Sequence, residues 1–121
     1  MNQMRTEIKA AALAPIQIDE LVGEQSFSFS PDFVGFAGHF PGFAILPAIL
    51  QQIIAQMVAE AVIGAPVTIK SINRAKFRLQ IKPNEQIDVR VSCREKDDLN
   101  QCKCELTVAG KSAASFTLVL K

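Results

Sequence analysis

The sequence predicts an α+β domain in which an antiparallel sheet wraps around one long central helix. Two observations carry this prediction: a long apolar run that begins at Pro47, and alternating segments on both sides of it, of which the later ones are joined by short turns. Of the 121 residues, 49% are apolar, which is enough for a substantial core. No linker or repeat divides the chain, so residues 1–121 are expected to form a single domain.

The central helix is predicted over Ala48 to Val62, a stretch without Gly or Pro that is rich in good helix formers. Pro47 suits the first turn, where its missing N–H would have had no partner. Gly64-Ala-Pro66 supplies the stop signal. The segment is apolar nearly all round, which predicts a helix enclosed by the sheet.

Strand periodicity precedes and follows this helix. Thr6 to Leu13 is compatible with either a short helix or a first strand, whereas Gly23 to Ser30 alternates with its phenylalanines on one face. Short turns between the later segments require antiparallel neighbours, and the helix is the only cover available for their apolar face. These later strands are predicted over Val67–Lys82 (apolar at odd positions, basic at even ones, with a bend near Ser71–Arg74), Gln86–Glu95, a strand bearing Cys102 to Val108, and Ser112–Leu120.

Composition argues against several functions. A net charge of +1 gives no electrostatic reason to expect nucleic acid or an anionic membrane as a partner. Gln51, Gln52, Gln56 and Glu60 would be costly in lipid, so the long helix is expected inside protein. The N-terminus lacks a signal-peptide core, and the number of cysteines is odd. Both features favour a cytoplasmic protein with reduced thiols.

The three cysteines fall in register with Val and Leu on the core face of two strands. A metal or redox site built from Cys93, Cys102 and Cys104 is an alternative, but a small buried apolar role is favoured. No metal and no cofactor are therefore expected.

The only histidine lies in the loop Gly38-His39-Phe40-Pro41-Gly42, directly before the helix. An imidazole, with an unperturbed pKa of about 6.5, is suited to general acid–base work near neutral pH. The unpaired N–H groups at a helix start can stabilise negative charge on a substrate oxygen. The combination of an imidazole and free N–H groups predicts a catalytic site where the loop meets the helix.

Two sequence blocks carry a resemblance to a known family. The first is the GHFPG loop together with Leu46-Pro47-Ala48-Ile49-Leu50-Gln51, and the second runs from Ile72 through Arg78 into Lys82-Pro83-Asn84-Glu85-Gln86. At compatible spacing they resemble the hot-dog fold, and within it the β-hydroxyacyl-acyl-carrier-protein dehydratases of the FabA/FabZ group. The resemblance covers roughly residues 33–95.

The resemblance implies removal of water from a 3-hydroxyacyl thioester carried on acyl carrier protein, or on coenzyme A. It makes His39 the base at C2 and the backbone N–H of Ala48 the oxyanion donor. It places Phe40, Gly42, Gln52 and Ile53 beside the substrate. It also implies a homodimer or higher homo-oligomer, with the acyl tunnel at the dimer interface.

One departure from the family pattern weakens the catalytic assignment. The family's helix carboxylate aligns with Ile53, which can neither donate a proton nor orient water. Glu60 lies about two turns further on, on the order of 10 Å away, so it could replace the acid only if the site moved. Two alternatives therefore stay open: a catalytically impaired acyl-binding subunit of a heteromeric dehydratase, or a hot-dog acyl thioesterase.

The basic side chains of the strand after the helix have two interpretations. A solvated sheet surface is favoured, and a docking surface for an acidic acyl carrier protein is the alternative. The candidate docking residues are Arg74, Lys76 and Arg78.

Overall fold

The computed structural model describes residues 3–37 and 44–121. These form an antiparallel sheet with one long helix, as predicted, and the sheet has six strands. The strands lie in the order β1-β2-β4-β5-β6-β3. In chain order the elements are α1 (Gln3–Ala10), β1 (Gln17–Asp19), β2 (Val22–Ser28), a 3-10 helix (Val34–Phe36), α2 (Ala48–Ile63), β3 (Ile69–Phe77), β4 (Gln86–Lys96), β5 (Leu99–Val108) and β6 (Lys111–Leu120).

The last three strands follow the predicted alternation. Asp97-Asp98 joins β4 to β5 and Ala109-Gly110 joins β5 to β6, and all four turn residues have positive φ. Two-residue turns of this kind match the natural twist of paired strands. Every second residue of β4 is buried from Ile87 to Cys93, so the apolar face is the predicted one.

Helix α2 lies across the sheet and contacts β2 and β4 most extensively. The approach to β2 is close at Gly23, where an added Cβ would lie 2.5 Å from Cγ2 of Val62. The helix ends at Gly64 in the left-handed conformation (φ 83°), whose N–H bonds to the carbonyl of Glu60. Gly tolerates that conformation without strain, so the stop signal acts as predicted.

The helix is not enclosed on all sides, which corrects the prediction. Ile49 is 60% exposed, and Gln52, Ile53 and Met57 are only partly buried. In a single chain, one side of α2 therefore remains open beside its first two turns.

The prediction for β3 was right about the bend and wrong about the apolar face. Register irregularities separate Ile69 from Ser71 and Asn73 from Lys76, and Arg74 has φ 54°. Each irregularity interrupts the alternation of faces. The expected core positions Ala75 and Phe77 are consequently exposed. As the edge strand of the described sheet, β3 also has only one pairing neighbour, β6.

The segment left open as helix or strand is helical as far as Ala10. Helix α1 is tied to the rest of the molecule by two acceptor groups: Glu60 pairs with Arg5 at 2.6 Å, and Glu7 accepts the N–H of Val34 at 3.0 Å. Among the described residues, no helix is long and apolar enough to cross a membrane.

Candidate functional site

The first turn of α2 presents free backbone donors. Pro47 occupies the cap position, and its carbonyl accepts the N–H groups of Leu50 and Gln51. The N–H groups of Ala48 and Ile49 have no acceptor among the described residues, and Ala48 is solvent-exposed. A helix start of this kind is preorganised to bind a negatively charged oxygen.

The segment entering the helix is held on two sides. The N–H of Leu46 bonds to the carbonyl of Ile81 at 2.8 Å, and Nε2 of Gln51 donates to the carbonyl of Leu46 at 3.0 Å. Gln51 is only 4% exposed, and within the described residues its Oε1 has no donor. Gln51 thus makes a structural hydrogen bond that fixes the position of the helix start.

The chain that leads towards the histidine loop is held against the same turn. Gly35 of the 3-10 helix approaches Leu50 so closely that an added Cβ would lie 2.4 Å from its Cδ1. Glu7 Oε1 accepts the N–H of Val34. Both flanks of residues 38–43 are therefore anchored near the start of α2. His39, Phe40 and Gly42 themselves lie outside the described residues.

Glu7 has a role that the sequence did not reveal. Its carboxylate connects α1 to the 3-10 helix, and its other oxygen accepts from Gln3 Nε2 at 2.9 Å. The sequence contained no sign of this role for two reasons. The local pattern did not decide between helix and strand, and the hydrogen bond joins residues 27 positions apart.

Ile53 lies on the open side of α2. Residues four apart on a helix share a face, so Ile49, Ile53 and Met57 form an apolar stripe running away from the helix start. Gln52 is adjacent and partly exposed. The stripe provides apolar surface next to the free N–H groups, but no carboxylate.

Glu60, the alternative acid, is engaged in structural contacts. Its Oε1 pairs with Arg5 and its Oε2 accepts the N–H of Val67 at 3.0 Å. Both oxygens are thus used to hold α1 and the chain after α2. This arrangement does not favour a catalytic role for Glu60.

The three candidate docking residues are exposed. Arg78 Nη1 donates to the hydroxyls of Ser112 and Ser115, at 3.1 and 3.0 Å. Arg74 and Lys76 have no carboxylate partner among the described residues. Among the described residues, none of the three cations forms an ion pair, and only Arg78 has hydrogen bonds to side-chain hydroxyls.

The cysteines are buried core residues, as favoured from sequence. Cys102 lies directly opposite Cys93 and donates to it across 2.7 Å between sulfurs. This hydrogen bond and then burial raise the pKa of the Cys102 thiol, whereas the same bond lowers the pKa of Cys93. Burial raises the pKa of Cys104. Across residues 3–37 and 44–121, no cluster of three metal-binding side chains occurs.

Comparison with known proteins gives a consistent family. Residues 17–116 match the ApeI-like family, described as ApeI dehydratase. The 3-hydroxyacyl-[acyl-carrier-protein] dehydratase FabZ of Lactobacillus helveticus is 27% identical over 108 residues, covering 83% of this chain and 72% of the relative. FabZ of Bacillus thuringiensis is 29% identical over 109 residues, covering 81% and 74%.

Solved structures agree on the fold. The dehydratase heterocomplex ApeI:P from Xenorhabdus doucetiae has a TM-score of 0.75 at 20% identity, covering 90% of this chain and 95% of that chain. A hypothetical thioesterase with coenzyme A from Streptococcus pneumoniae has a TM-score of 0.73 at 6% identity, covering 97% and 91%. These likenesses show the hot-dog fold. The family match over residues 17–116 establishes that the chain belongs to the ApeI-like dehydratase family.

Proposed function

We propose that this protein dehydrates a 3-hydroxyacyl thioester carried on acyl carrier protein or on coenzyme A. The observation that carries the proposal is the start of α2. The N–H of Ala48 has no acceptor among the described residues, and both flanks of the His39 loop are held beside it. FabZ-named relatives support the substrate class.

In the proposed reaction, His39 takes the proton from C2 of the substrate. Negative charge moves onto the thioester oxygen, where the Ala48 N–H stabilises it. The electron pair then forms the C2–C3 double bond as the C3–O bond breaks. The products are an enoyl thioester and water.

The departing hydroxyl needs a proton, and position 53 cannot supply one. The proton must come from the protonated His39 or from a carboxylate on another subunit. Acid assistance is typically worth about 10²–10⁴-fold in rate. The isolated homo-oligomer should therefore be a slow catalyst.

Hydration of a short enoyl thioester, which is the reverse reaction, tests the proposal. The His39→Ala variant should lose activity, and Ile53→Glu should gain it, since it restores the missing acid on the open side of α2. Ile53→Gln is the matched control, with a similar shape and no acidic proton, and should show no gain. Full turnover by His39→Ala would refute the assignment of the base.

A second candidate is an acyl-binding subunit of a heteromeric dehydratase. The open apolar stripe of Ile49, Ile53 and Met57 beside a site that lacks its acid favours it. The similar Xenorhabdus structure is itself a dehydratase heterocomplex. This candidate would be supported by two results together. Activity would appear only when a dehydratase-like partner is added, and the Ile53→Glu variant would show no gain in activity without that partner.

The third candidate, an acyl thioesterase, gives a different signal in the same assay. It would release thiol from a saturated acyl thioester without any change in enoyl absorbance. No residue of the described structure favours it over dehydration.

We also propose that the carrier protein docks on Arg74, Lys76 and Arg78. Charge reversal at Lys76 should weaken the encounter with acyl carrier protein most strongly at low salt, because exposed charges are screened as salt increases. Lys111→Glu, an exposed lysine at the β5–β6 turn, is the control. Equal rates for the two variants at low salt would refute this docking surface.

A further inference from the structure

The face of the sheet turned away from α2 carries a polar row across four strands. The register places Ser92 opposite Lys103, Lys103 opposite Thr117, and Thr117 opposite Asn73. Adjacent strands are about 4.7–4.9 Å apart, so these side chains are close neighbours. They form the floor of a groove on the outer surface.

The groove has a volume of about 490 Å³ and is lined by cations, neutral polar side chains and Cys93. The described residues of its lining include no carboxylate. The four cations are Arg74, Arg94, Lys96 and Lys103, and the neutral polar side chains are Asn73, Ser92, Gln101 and Thr117.

None of these cations has a carboxylate partner in the described structure, where the ion pairs are Arg5–Glu60 and Arg90–Glu24. Arg94 Nη2 donates to Oε1 of Gln101 at 3.4 Å. Glu95, Asp97 and Asp98 are neighbours of Lys96 in the sequence, and Glu105 lies opposite Arg90, but none of these carboxylates is among the described residues that line the groove. Like charges gathered in one concave surface create a positive potential that an anion would relieve.

Arg74 reaches the groove from an unusual backbone conformation. Its φ of 54° lies in the left-handed region, within the irregular part of β3. Non-glycine residues rarely adopt this conformation, and those that do cluster at ligand sites. The irregularity places an arginine on the groove from the edge strand.

We propose that this groove binds a small molecule through a multiply charged phosphate group. Arginine guanidinium groups, lysine ammonium groups and hydroxyls are the donors that recognise phosphate. The volume lies within the range of small-molecule sites, about 300–1,000 Å³, and leaves room for an organic group attached to the phosphates. The polar lining makes it unsuitable for an acyl chain, and the sheet separates it from the start of α2.

Calorimetric titration of the full chain at low salt with inorganic pyrophosphate, and separately with adenosine diphosphate, tests the proposal. Both ligands should saturate one site. Tighter binding of the adenosine compound would indicate that the organic group is also recognised, and equal binding would indicate a site for the diphosphate alone. Failure of both to saturate at millimolar concentration would overturn the proposal.

A matched pair of double variants locates the site. Lys96→Ala with Lys103→Ala removes two groove cations and should weaken binding at least about 10-fold, since charged hydrogen bonds to phosphate are lost. Lys70→Ala with Lys111→Ala removes two exposed lysines outside the groove and should change affinity less than about 2-fold. Circular dichroism confirms that each variant is folded. If both double variants weaken binding equally, the effect is one of general charge and the proposal is overturned. If hexaglutamate displaces pyrophosphate as effectively as adenosine diphosphate does, the groove binds acidic polypeptides and the proposal is likewise overturned.

Discussion

The hydrogen-bond and ion-pair partners of Glu60 indicate a structural role rather than a catalytic one. The sequence places a carboxylate on the central helix, which is the chemical type the family uses. In the structure, each of its oxygens already has a partner, on Arg5 and on the N–H of Val67. The residue therefore connects α1 and the segment before β3 to the helix.

Glu60→Ala should lower the free energy of unfolding by about 1–3 kcal/mol, because it leaves the N–H of Val67 and the Arg5 guanidinium without their acceptor. Enoyl hydration per folded molecule should be unchanged. Urea unfolding and the hydration assay measure the two effects. Glu60→Gln keeps one carbonyl acceptor and should be milder. An inactive but fully stable Glu60→Gln would show instead that Glu60 is the acid.

Asp88 should make a pH-dependent contribution to stability. Hydrogen bonds from Ser26 and then Gln86 lower its pKa in the folded state. The folded state thus favours the charged form, and the contribution is present above the unfolded pKa of about 3.9. It is lost as pH falls through the lower folded value.

Asp88→Asn should therefore be less stable than wild type at pH 7, by no more than about 1 kcal/mol because the group is exposed. The difference should shrink below about pH 4. Urea midpoints at pH 7 and pH 3 measure it, with Asp32→Asn, another exposed acid, as the control. A difference that grows on acidification would contradict the assigned sign.

The role of a site residue was predictable where it depends only on that residue and its neighbours in the sequence. Pro47 predicts the helix start, and hence the free N–H of Ala48, from its ring alone. The partners of Glu7 and Glu60 were not predictable, because each joins segments that only the tertiary fold brings together. Whether His39 faces the helix start stays a prediction.

At the scale of elements, alternation predicted β4, β5 and β6 because each is paired on both sides and has one buried face. It failed in β3, where register irregularities shift the faces and only one neighbour constrains the strand. Alternation of apolar and polar residues along one strand cannot reveal such a shift of register, since the irregularity depends on how β3 pairs with β6. The enclosure of α2 was overestimated because an apolar residue such as Ile49 can also face another chain.

Gly23 is required by the close contact between β2 and α2. Gly23→Ala would place a Cβ 2.5 Å from Val62 Cγ2, and should destabilise the fold by about 1–3 kcal/mol through overpacking. Adding Val62→Ala removes the clashing methyl groups and should recover part of the loss. Unfolding of both single variants and the double variant gives the coupling energy. Strict additivity would show that the contact does not limit this packing.

At the scale of the whole molecule, one chain leaves two apolar features without a partner among the described residues. The stripe of Ile49, Ile53 and Met57 is open on α2, and β3 is an edge strand with large apolar side chains, Phe77 and Leu79, exposed near its end. Exposed strand edges and apolar patches are typical of association surfaces.

We therefore expect the protein to associate through the β3 edge. Light scattering should give a mass of at least about 26 kDa, twice the 13.2 kDa of one chain. Phe77→Lys with Leu79→Lys should shift the mass towards a single chain, because buried lysines at an interface are unfavourable. Leu21→Lys, an exposed leucine beside β1 at the opposite edge, should leave the mass unchanged. Dissociation by Leu21→Lys but not by the β3 variant would place the interface on the other edge. A 13.2 kDa wild type that becomes larger only with a dehydratase-like partner would instead identify the β3 edge as a heteromeric surface.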